Sequence, residues 1–324
     1  MKPIIFISRR LPEAMMEKLA DYFEICCNPQ NRNLDHAELL AGAQKCDVMI
    51  TMLADSIDRE ILASNPRLKG VCNYAVGYNN IDVAAATELG IPVCNTPGVL
   101  TETTADLAWA LLMSAARRIV ESDRFTRAGK FTGWAPCLLL GEDIYGKTLG
   151  IIGAGRIGEA VARRSCGFSM HILYTSHNRN EYLENDLQAQ KVELAELLQK
   201  SDFISLHVPY NEQTHHLIGK EELAMMKKTA VLINTARGQV IDESALIKAL
   251  KEYQIAAAGL DVFYSEPEIP QEMRDLENIV IVPHIGSASL ETRTRMAQLA
   301  LDCARACIEH TMPPAIVNPE VLKN

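Results

Sequence analysis

The sequence has no hydrophobic run of membrane-spanning length, no surplus of basic residues and no internal repeat or low-complexity tract. A transmembrane helix needs about 20 consecutive apolar residues, so association with a membrane is not expected. Lysine and arginine number 32 against 41 acidic residues, which gives a net charge of −9. Because a phosphate backbone is bound through a basic surface, nucleic acid is not expected as a partner either.

Paired cysteine motifs are also missing. The nine cysteines are scattered along the chain, and Cys26-Cys27 is the one adjacent pair. Disulfide frameworks and zinc sites normally show paired spacings, whereas an odd, scattered set is typical of a reducing compartment. The apolar run that follows Met1 is too short for a signal peptide and predicts a first strand. We therefore expect mostly buried, unpaired thiols, no metal and a cytoplasmic protein.

A glycine fingerprint between two apolar runs is the strongest feature that the sequence does contain. The apolar residues 149–152 predict a buried strand, and Gly153, Gly155 and Gly158 follow it as G-x-G-x-x-G. In order, these glycines permit a tight turn, the approach of backbone to a pyrophosphate and close packing of the next helix. The free N–H groups at the start of that helix favour an anion. With a second strand at 171–174, the unit predicts a dinucleotide cofactor.

The end of this second strand lacks the acidic residue that normally binds the ribose 2′-hydroxyl of NAD. Ser176, His177, Asn178 and Arg179 occupy the place instead. Without a carboxylate a 2′-phosphate is not repelled, and Arg179, together with His177, could pair with it. We therefore expect NADP(H) to be preferred, with NAD(H) as a possible cofactor. The alternative is that these residues form only a solvated turn.

Short apolar runs alternate with helical patterns along the whole chain, which predicts parallel sheets with right-handed crossovers. A length of 324 residues favours two domains. The predicted fold class is α/β, with a doubly wound Rossmann domain (residues 100–290) inserted into a doubly wound, flavodoxin-like substrate domain (residues 1–99 and 291–324). The predicted strands are residues 4–8, 22–27, 47–51, 68–72 and 91–95 in the first domain, and 149–152, 171–174, 202–208, 230–234, 257–261 and 279–282 in the second.

Two long helices are predicted at the domain boundaries. Residues 101–118 are expected to cross from the first domain to the second, and residues 290–309 are expected to return to the first. The irregular segment 127–145 between the crossing helix and the fingerprint carries exposed apolar residues, which is typical of a covered surface.

Arg237, Glu266 and His284 each follow a different predicted strand of the second domain. Ligands of open α/β sheets bind beyond the carboxyl ends of the strands, so the three side chains could meet at one crevice. Taken singly, each has a plain structural explanation: a surface guanidinium, a turn residue and a core imidazole. Together they supply an anion clamp, a carboxylate and a titratable base, which favours a catalytic site.

Each of the three residues fits a step in the reduction of a 2-oxo acid. Arg237 could bind the substrate carboxylate and polarise the neighbouring carbonyl. His284 would donate a proton to the carbonyl oxygen as hydride arrives. Glu266 would hydrogen-bond the imidazole and fix its tautomer. In the first domain, residues 73–78 could expose successive backbone N–H groups to a carboxylate, although a plain turn is nearly as good an explanation.

The motifs NYAVGYNNID, GVLTETTADLAWALLM, GAGRIG, NTARG, GLDVF and PHIGSAS together resemble those of the D-isomer-specific 2-hydroxyacid dehydrogenases, and within them the glyoxylate/hydroxypyruvate reductases. The resemblance implies Arg237, Glu266 and His284 as the catalytic set, a homodimer, and NADP(H) use for the segment TSHNR. It implies that Trp134 reaches the neighbouring subunit's substrate site. It further implies substrate contacts from Leu53, Val76, Gly77, Arg237 and His284, and cofactor contacts from Arg156, Ile157, Val208, Pro209, Thr214, Thr235, Ala236, Arg237, Asp261, His284 and Gly286.

The leading hypothesis is therefore an NADPH-dependent reductase that converts glyoxylate and hydroxypyruvate to glycolate and D-glycerate. A 2-ketogluconate reductase or another D-2-hydroxyacid dehydrogenase would share every motif quoted. A different class of protein, a dinucleotide-sensing binding protein like the transcriptional corepressors of this fold, can retain such a triad as well. It is disfavoured because no peptide-docking extension is apparent.

Overall fold

Two parallel β-sheets organise the chain in the computed structural model, which describes residues 2–322. Each sheet belongs to its own compact unit. The chain passes from the first unit to the second between Leu100 and Thr101, and returns to the first between Gly286 and Ser287. Among the helices in the described part of the chain, none has both the length and the apolar character needed to cross a bilayer.

The first unit contains a five-stranded sheet in which every neighbouring pair is parallel and the strand order is 2-1-3-4-5. This is the flavodoxin-like doubly wound order. Its strands are β1 (Ile4–Ile7), β2 (Glu24–Cys27), β3 (Val48–Thr51), β4 (Val71–Asn73) and β5 (Val93–Cys94), and its helices are α1 (Glu13–Tyr22), α2 (His36–Ala43), α3 (Arg59–Ala63) and α4 (Val83–Glu88).

Aspartate side chains fix where three of these helices begin. Asp35, Asp58 and Asp82 each accept a hydrogen bond from the backbone N–H three residues later, and Asp35 forms a full capping box with Glu38. Such caps satisfy donors that the first helical turn leaves open and are typically worth about 1 kcal/mol. These three helices therefore begin directly after their capping aspartates.

The second unit contains a seven-stranded parallel sheet in the order β12-β11-β10-β9-β6-β7-β8. Counted from the first strand of this unit, the order is 3-2-1-4-5-6 with one more strand at the edge, which is the Rossmann arrangement. Its elements are α5 (Thr101–Ala116), α6 (Ile119–Arg127), β6 (Thr148–Ile152), α7 (Arg156–Arg164), β7 (His171–Thr175), α8 (Glu181–Asn185), β8 (Gln190–Lys191), α9 (Leu194–Lys200), β9 (Phe203–Leu206), α10 (Lys220–Met225), β10 (Val231–Asn234), α11 (Glu243–Lys251), β11 (Ala257–Leu260), α12 (Gln271–Arg274) and β12 (Ile279–Ile281).

Both faces of this second sheet are buried, because successive side chains of a strand point to opposite faces. Val231 and Ile233 of β10 join the apolar cluster that includes α5 and α7, whereas Leu232 joins the cluster on the other face with α9, α10 and α11. The strands accordingly read as continuous hydrophobic runs. The last helix, α13 (Leu290–Glu309), belongs to the first unit and packs on β3, β4 and α1.

The predicted helix at 101–118 ends earlier than expected. α5 stops at Ala116 and packs on α7 and on the sheet of the second unit. Arg118 has a left-handed φ of 51°, and the N–H of Glu142 donates to the Ala116 carbonyl, which interrupts the helical ladder. The chain then forms α6, which was not predicted. The predicted fold class, two doubly wound α/β sheets with one inserted into the other along the chain, is confirmed.

Candidate active site

The glycine fingerprint forms a tight turn at the point where the strand order of the second sheet reverses. Gly153 has a φ of +97°, and a Cβ atom there would lie 2.7 Å from the carbonyl carbon of His207. A Cβ on Gly158 would overlap the carbonyl oxygen of Gly153. Because β6 and β9 are neighbours at this reversal, the turn lies where open α/β sheets bind ligands.

A dinucleotide fits the groups that this turn leaves open. A Cβ on Gly155 would have no atom within 4 Å, and this residue caps α7 without any side-chain hydrogen bond. Arg156 and Ile157 therefore begin a helix whose first N–H groups are available to an anion. Thr235, which follows β10, has a buried hydroxyl without a hydrogen-bond partner in the described part of the chain. These donors suit the phosphates and polar edge of a nicotinamide cofactor.

The segment after β7 contains two cations, one of which is paired with a carboxylate. Arg179 is 74% exposed, and its Nε donates to Oε1 of Glu184 over 3.1 Å. Lys191, on the neighbouring strand β8, donates from Nζ to the carbonyl of His177 over 3.1 Å. Ser176 lies at the start of this turn. The sequence predicted Arg179 and His177 as phosphate-binding groups, but it indicated neither the position of Lys191 beside His177 nor the ion pair of Arg179 with Glu184.

Glu266 and His284 meet at the carboxyl ends of β11 and β12. Nδ1 of His284 lies 2.8 Å from Oε2 of Glu266, and Oε1 accepts the backbone N–H of Phe263 over 3.0 Å. Burial acts most strongly and opposes ionisation of Glu266, but His284, the Phe263 N–H and the charge of Arg237 together lower its pKa. The carboxylate therefore stays ionised beside the imidazole.

Arg237 extends from a turn that Asn234 holds in place. The side-chain Nδ2 of Asn234 donates to the carbonyl of Arg237 over 2.8 Å, and its Oδ1 accepts the N–H of Ala236 over 2.9 Å. The next residue, Gly238, packs so closely that a Cβ would overlap the Phe263 carbonyl. This contact brings the Arg237 turn beside the segment that leads to Glu266. Burial lowers the pKa of Arg237, and the charge of Glu266 acts in the opposite direction.

Asp261 supports the loop that carries His284. Its carboxylate is 1% exposed and accepts the N–H groups of Ile285, over 2.6 Å, and Gly286, over 2.8 Å. Burial raises the pKa of Asp261 to about 6, although both N–H groups and the charge of His284 act to lower it. The predicted cofactor contacts Asp261 and Gly286 are thus bonded to each other, and the carboxylate fixes the backbone just after the imidazole.

The remaining predicted cofactor residues of this unit follow β9. Val208 and Pro209 come directly after His207 at the reversal point, and the loop is closed by Thr214, whose hydroxyl donates to the Pro209 carbonyl over 2.7 Å. The same hydroxyl accepts the N–H of Asn211 over 2.9 Å. The buried Thr214 therefore shapes the loop through its own hydrogen bonds.

The loops predicted to bind substrate in the first unit are held by asparagines. Asn95 donates to the Val76 carbonyl over 2.8 Å, and Asn73 donates to the Gly77 carbonyl over 2.7 Å. Asn80 links this loop to the one that contains Leu53 by donating to the Met52 carbonyl over 3.1 Å. Within residues 2–322, neither Val76 nor Gly77 donates its own N–H to another group. That arrangement leaves both donors available to an anion.

Residues 109–286 match the family model of the D-isomer specific 2-hydroxyacid dehydrogenase, NAD binding domain. A glyoxylate reductase from Korarchaeum cryptofilum (strain OPF8) is 50% identical over 325 residues, which cover 100% of this chain and 98% of the relative. The chain belongs to the D-isomer specific 2-hydroxyacid dehydrogenase family.

Solved structures agree with this membership. A glyoxylate reductase from Paecilomyes thermophila is 33% identical, with a TM-score of 0.87, and the match covers 98% of this chain and 99% of that one. An NADPH-dependent glyoxylate/hydroxypyruvate reductase from Sinorhizobium meliloti, in complex with NADP and malonate, is 30% identical with a TM-score of 0.87, covering 98% of this chain and 97% of that one. The predicted family and the enzyme class, a dehydrogenase with a nicotinamide cofactor, are confirmed.

Trp134 lies on an exposed apolar surface of the dehydrogenase. Its side chain is 85% exposed, and Phe131, Leu140 and Tyr145 of the same irregular segment are exposed as well. Several large exposed apolar side chains within one segment are typical of a surface that another chain covers. The role of Trp134 in a neighbouring subunit's substrate site stays a prediction.

Sequence reasoning missed several supporting residues of the dehydrogenase. Asn234 carried a signal, since an asparagine directly after a buried strand often bonds nearby backbone. The sequence contained no such signal for His207. This residue is half-buried and hydrogen-bonds Ser205 over 2.8 Å, and desolvation lowers the pKa of its imidazole to about 3. The imidazole is therefore neutral at physiological pH.

Proposed function

We propose that this dehydrogenase reduces small 2-oxo acids, glyoxylate and hydroxypyruvate, to glycolate and D-glycerate with NADPH. The 2.8 Å contact between His284 and Glu266, beside Arg237 at neighbouring strand ends, carries the proposal, because the three groups together suit a 2-oxo acid. Relatives named glyoxylate reductase, matched over the full length of the chain, support the choice of substrate. The solved glyoxylate/hydroxypyruvate reductase supports the pair of substrates.

The tautomer of His284 decides which atom handles the proton. Because Nδ1 is engaged by Glu266, Nε2 is the atom that donates a proton to the substrate carbonyl oxygen and recovers it in the reverse direction. Glu266 acts through the imidazole, whose orientation it fixes, and its lowered pKa keeps it ionised as the imidazole gains and loses its proton. A bound reduced nicotinamide supplies the hydride.

Arg237 would bind the substrate carboxylate. Its guanidinium keeps its charge despite burial, since arginine is not deprotonated in proteins, and its planar fork matches a carboxylate in two hydrogen bonds. The free N–H groups of Val76 and Gly77 would bind the same kind of group in the first unit. Asn234 and Asp261 are positioning residues, because they hold the turns of Arg237 and His284 and face the chain itself.

The decisive experiment compares two histidine–carboxylate pairs with the same nitrogen–oxygen distance. In the first unit, Nε2 of His36 lies 2.8 Å from Oδ2 of Asp58, so His36→Asn is a matched control for His284→Asn. We expect His284→Asn to lower kcat for glyoxylate with NADPH by about 10²–10⁴-fold, the usual worth of general acid–base catalysis. His36→Asn should leave kcat unchanged. Equal rates in wild type and His284→Asn would overturn the proposed role.

Substrate preference follows from the same kinetics. We expect kcat/KM for glyoxylate and hydroxypyruvate to exceed kcat/KM for pyruvate and 2-ketogluconate. A higher value for 2-ketogluconate would assign the chain to that alternative activity. Absence of NADPH oxidation with all four acids would favour a dinucleotide-sensing protein.

The preference for NADPH rests on the cations after β7. A 2′-phosphate carries charge that Arg179 and Lys191 can pair with, and only one nitrogen of Arg179 is engaged by Glu184. We expect Arg179→Ala to lower the ratio of kcat/KM for NADPH over NADH by about tenfold, since one charge-assisted hydrogen bond is worth about 1.5–3 kcal/mol. Arg59→Ala, which removes another exposed paired arginine, should not change the ratio. A wild-type preference for NADH would contradict the proposal.

We further propose a homodimer in which a second copy of the chain covers the exposed segment around Trp134. We also propose a cytoplasmic location, which is supported by the absence of disulfides among the nine cysteines of the described chain. Trp134→Ala should then weaken the dimer in analytical ultracentrifugation and raise KM for glyoxylate. A monomeric wild-type protein would refute the proposed homodimer.

A further inference from the structure

Three cysteines converge in the core of the first unit. Cys72 on β4 and Cys94 on β5 are paired neighbours in the sheet, and Cys307 lies on α13, which packs over β4. All three side chains are buried, and their Sγ atoms lie within 4.8 Å of one another. The cluster joins residues that are more than 200 positions apart in sequence.

A fourth cysteine stands beside this cluster. Cys303 precedes Cys307 by four residues on α13, so both side chains lie on the same face of the helix. Its thiol contacts the carbonyl of Ala315 over 3.9 Å and is a hydrogen-bonding neighbour of Cys94.

The surrounding backbone makes room for the sulfur atoms. A Cβ on Gly70 would lie only 2.6 Å from Sγ of Cys307, so any larger residue at this position would displace the thiol. A tetrahedral zinc site has Zn–S bonds of about 2.3 Å, which places its sulfurs about 3.8 Å apart. The separations among the sulfurs of Cys72, Cys94 and Cys307 need to contract by at most about 1 Å, which small side-chain rotations can provide.

We propose that Cys72, Cys94 and Cys307, with Cys303 as the fourth ligand, form a structural site for a thiophilic d10 cation, with Zn²⁺ as the physiological ion to test. The ligand set formed within residues 2–322 is sulfur alone, which favours zinc or another soft ion over magnesium or calcium. A closed four-sulfur set leaves no open position for a substrate, so the ion stabilises the fold.

A bound ion would stabilise the loop that carries Val76 and Gly77. Cys72 is followed directly by Asn73, whose side chain holds the Gly77 carbonyl. An ion that joins β4 and β5 to α13 would fix the strand that leads into this loop. This inference is independent of the proposed activity, because it concerns a separate cluster with its own ligands.

The experiment uses the full chain with the cysteines outside the cluster that reach the surface changed to serine at positions 26, 27, 137 and 166. The protein is produced in medium containing either Zn²⁺ or Cd²⁺ and kept reduced. We expect one equivalent of metal by atomic emission, a thiolate-to-cadmium charge-transfer band, and a sulfur-only shell in X-ray absorption at the metal edge. Removing the metal with a chelator should lower Tm.

Matched variants test which thiols bind. Cys94→Ala and Cys307→Ala should lose the cadmium band and the Tm response to metal, whereas Cys46→Ala, which removes an equally buried thiol elsewhere, should keep both. Metal-free protein from both media, a nitrogen or oxygen shell, or an unchanged band in Cys94→Ala would overturn the proposal. If the cluster variants do not fold, the metal content and absorption edge of the parent chain still decide the question. A disulfide between cluster cysteines in the reduced parent, seen by mass spectrometry, would overturn it too.

Discussion

Asp261 offers a test of how burial sets the charge of the candidate site. Its carboxyl is almost wholly buried, and its pKa is raised from 3.8 to about 6. The folded state therefore favours the protonated form. The stability that this provides is fully present below pH 3.8 and is lost as pH rises through about 6. At 1.36 kcal/mol for each pKa unit, the loss amounts to about 3 kcal/mol.

Replacing Asp261 with Asn removes this titration while keeping the size of the side chain. We expect the free energy of unfolding of Asp261→Asn, relative to wild type, to rise by about 3 kcal/mol between about pH 4 and pH 7. The constant offset from the lost acceptor oxygen does not affect this change with pH. Urea unfolding followed by tryptophan fluorescence suits the measurement, because both tryptophans, Trp109 and Trp134, lie in the same unit as Asp261.

Asp202 provides a control of opposite sign. It accepts the N–H of Thr148 over 2.9 Å and the Nζ of Lys227 over 2.8 Å. Burial alone would raise its pKa, but these partners lower it. Asp202→Asn should therefore lose stability relative to wild type as pH rises. Difference curves that are flat for Asp261→Asn, or that have the same sign for both variants, would refute the reasoning about burial.

Two further predictions concern packing in the same unit. Gly238→Ala should lose about 1–3 kcal/mol in unfolding free energy and most of its activity, because the added Cβ would overlap the Phe263 carbonyl. Gly167→Ala should be near neutral, because a Cβ there meets nothing within 4 Å. Equal losses in the two variants would contradict the packing explanation. Trp109→Phe should cost about 1 kcal/mol for the hydrogen bond from Nε1 to the Val161 carbonyl, 2.9 Å long. Urea unfolding followed by circular dichroism measures the stability of these variants. An unfolding midpoint of Trp109→Phe equal to that of the wild type would contradict the prediction about the Trp109 hydrogen bond.

Local patterns predicted the elements well where burial and capping act along a short stretch. The helix α13 has the predicted bounds, and every predicted strand is present, though several are shorter than predicted and β8 was not predicted. Boundaries that depend on distant contacts were not predictable. The end of α5 at Ala116 depends on a hydrogen bond from Glu142, and α8 depends on its cap, Asn180, which also bonds the Ala154 carbonyl.

The candidate site also has features that the sequence predicted and features that it did not. That Arg237, Glu266 and His284 follow successive strands was readable, because the carboxyl ends of parallel strands lie on one edge. The supports of these side chains were not readable, since the bonds from Asp261 to the His284 loop and the ion pair of Arg179 with Glu184 join residues that no local pattern links.

The sequence by itself determined the fold class, the place of the fingerprint and the identity of the polar residues at the strand ends, because these follow from periodicity, glycine geometry and residue chemistry. Only the tertiary structure decided which groups share an environment. It brought together four of the nine cysteines, which look scattered in the sequence, and it buried Asp261 deeply enough to raise its pKa. Burial and charge depend on neighbours that the fold supplies, so such properties arise only when distant segments pack.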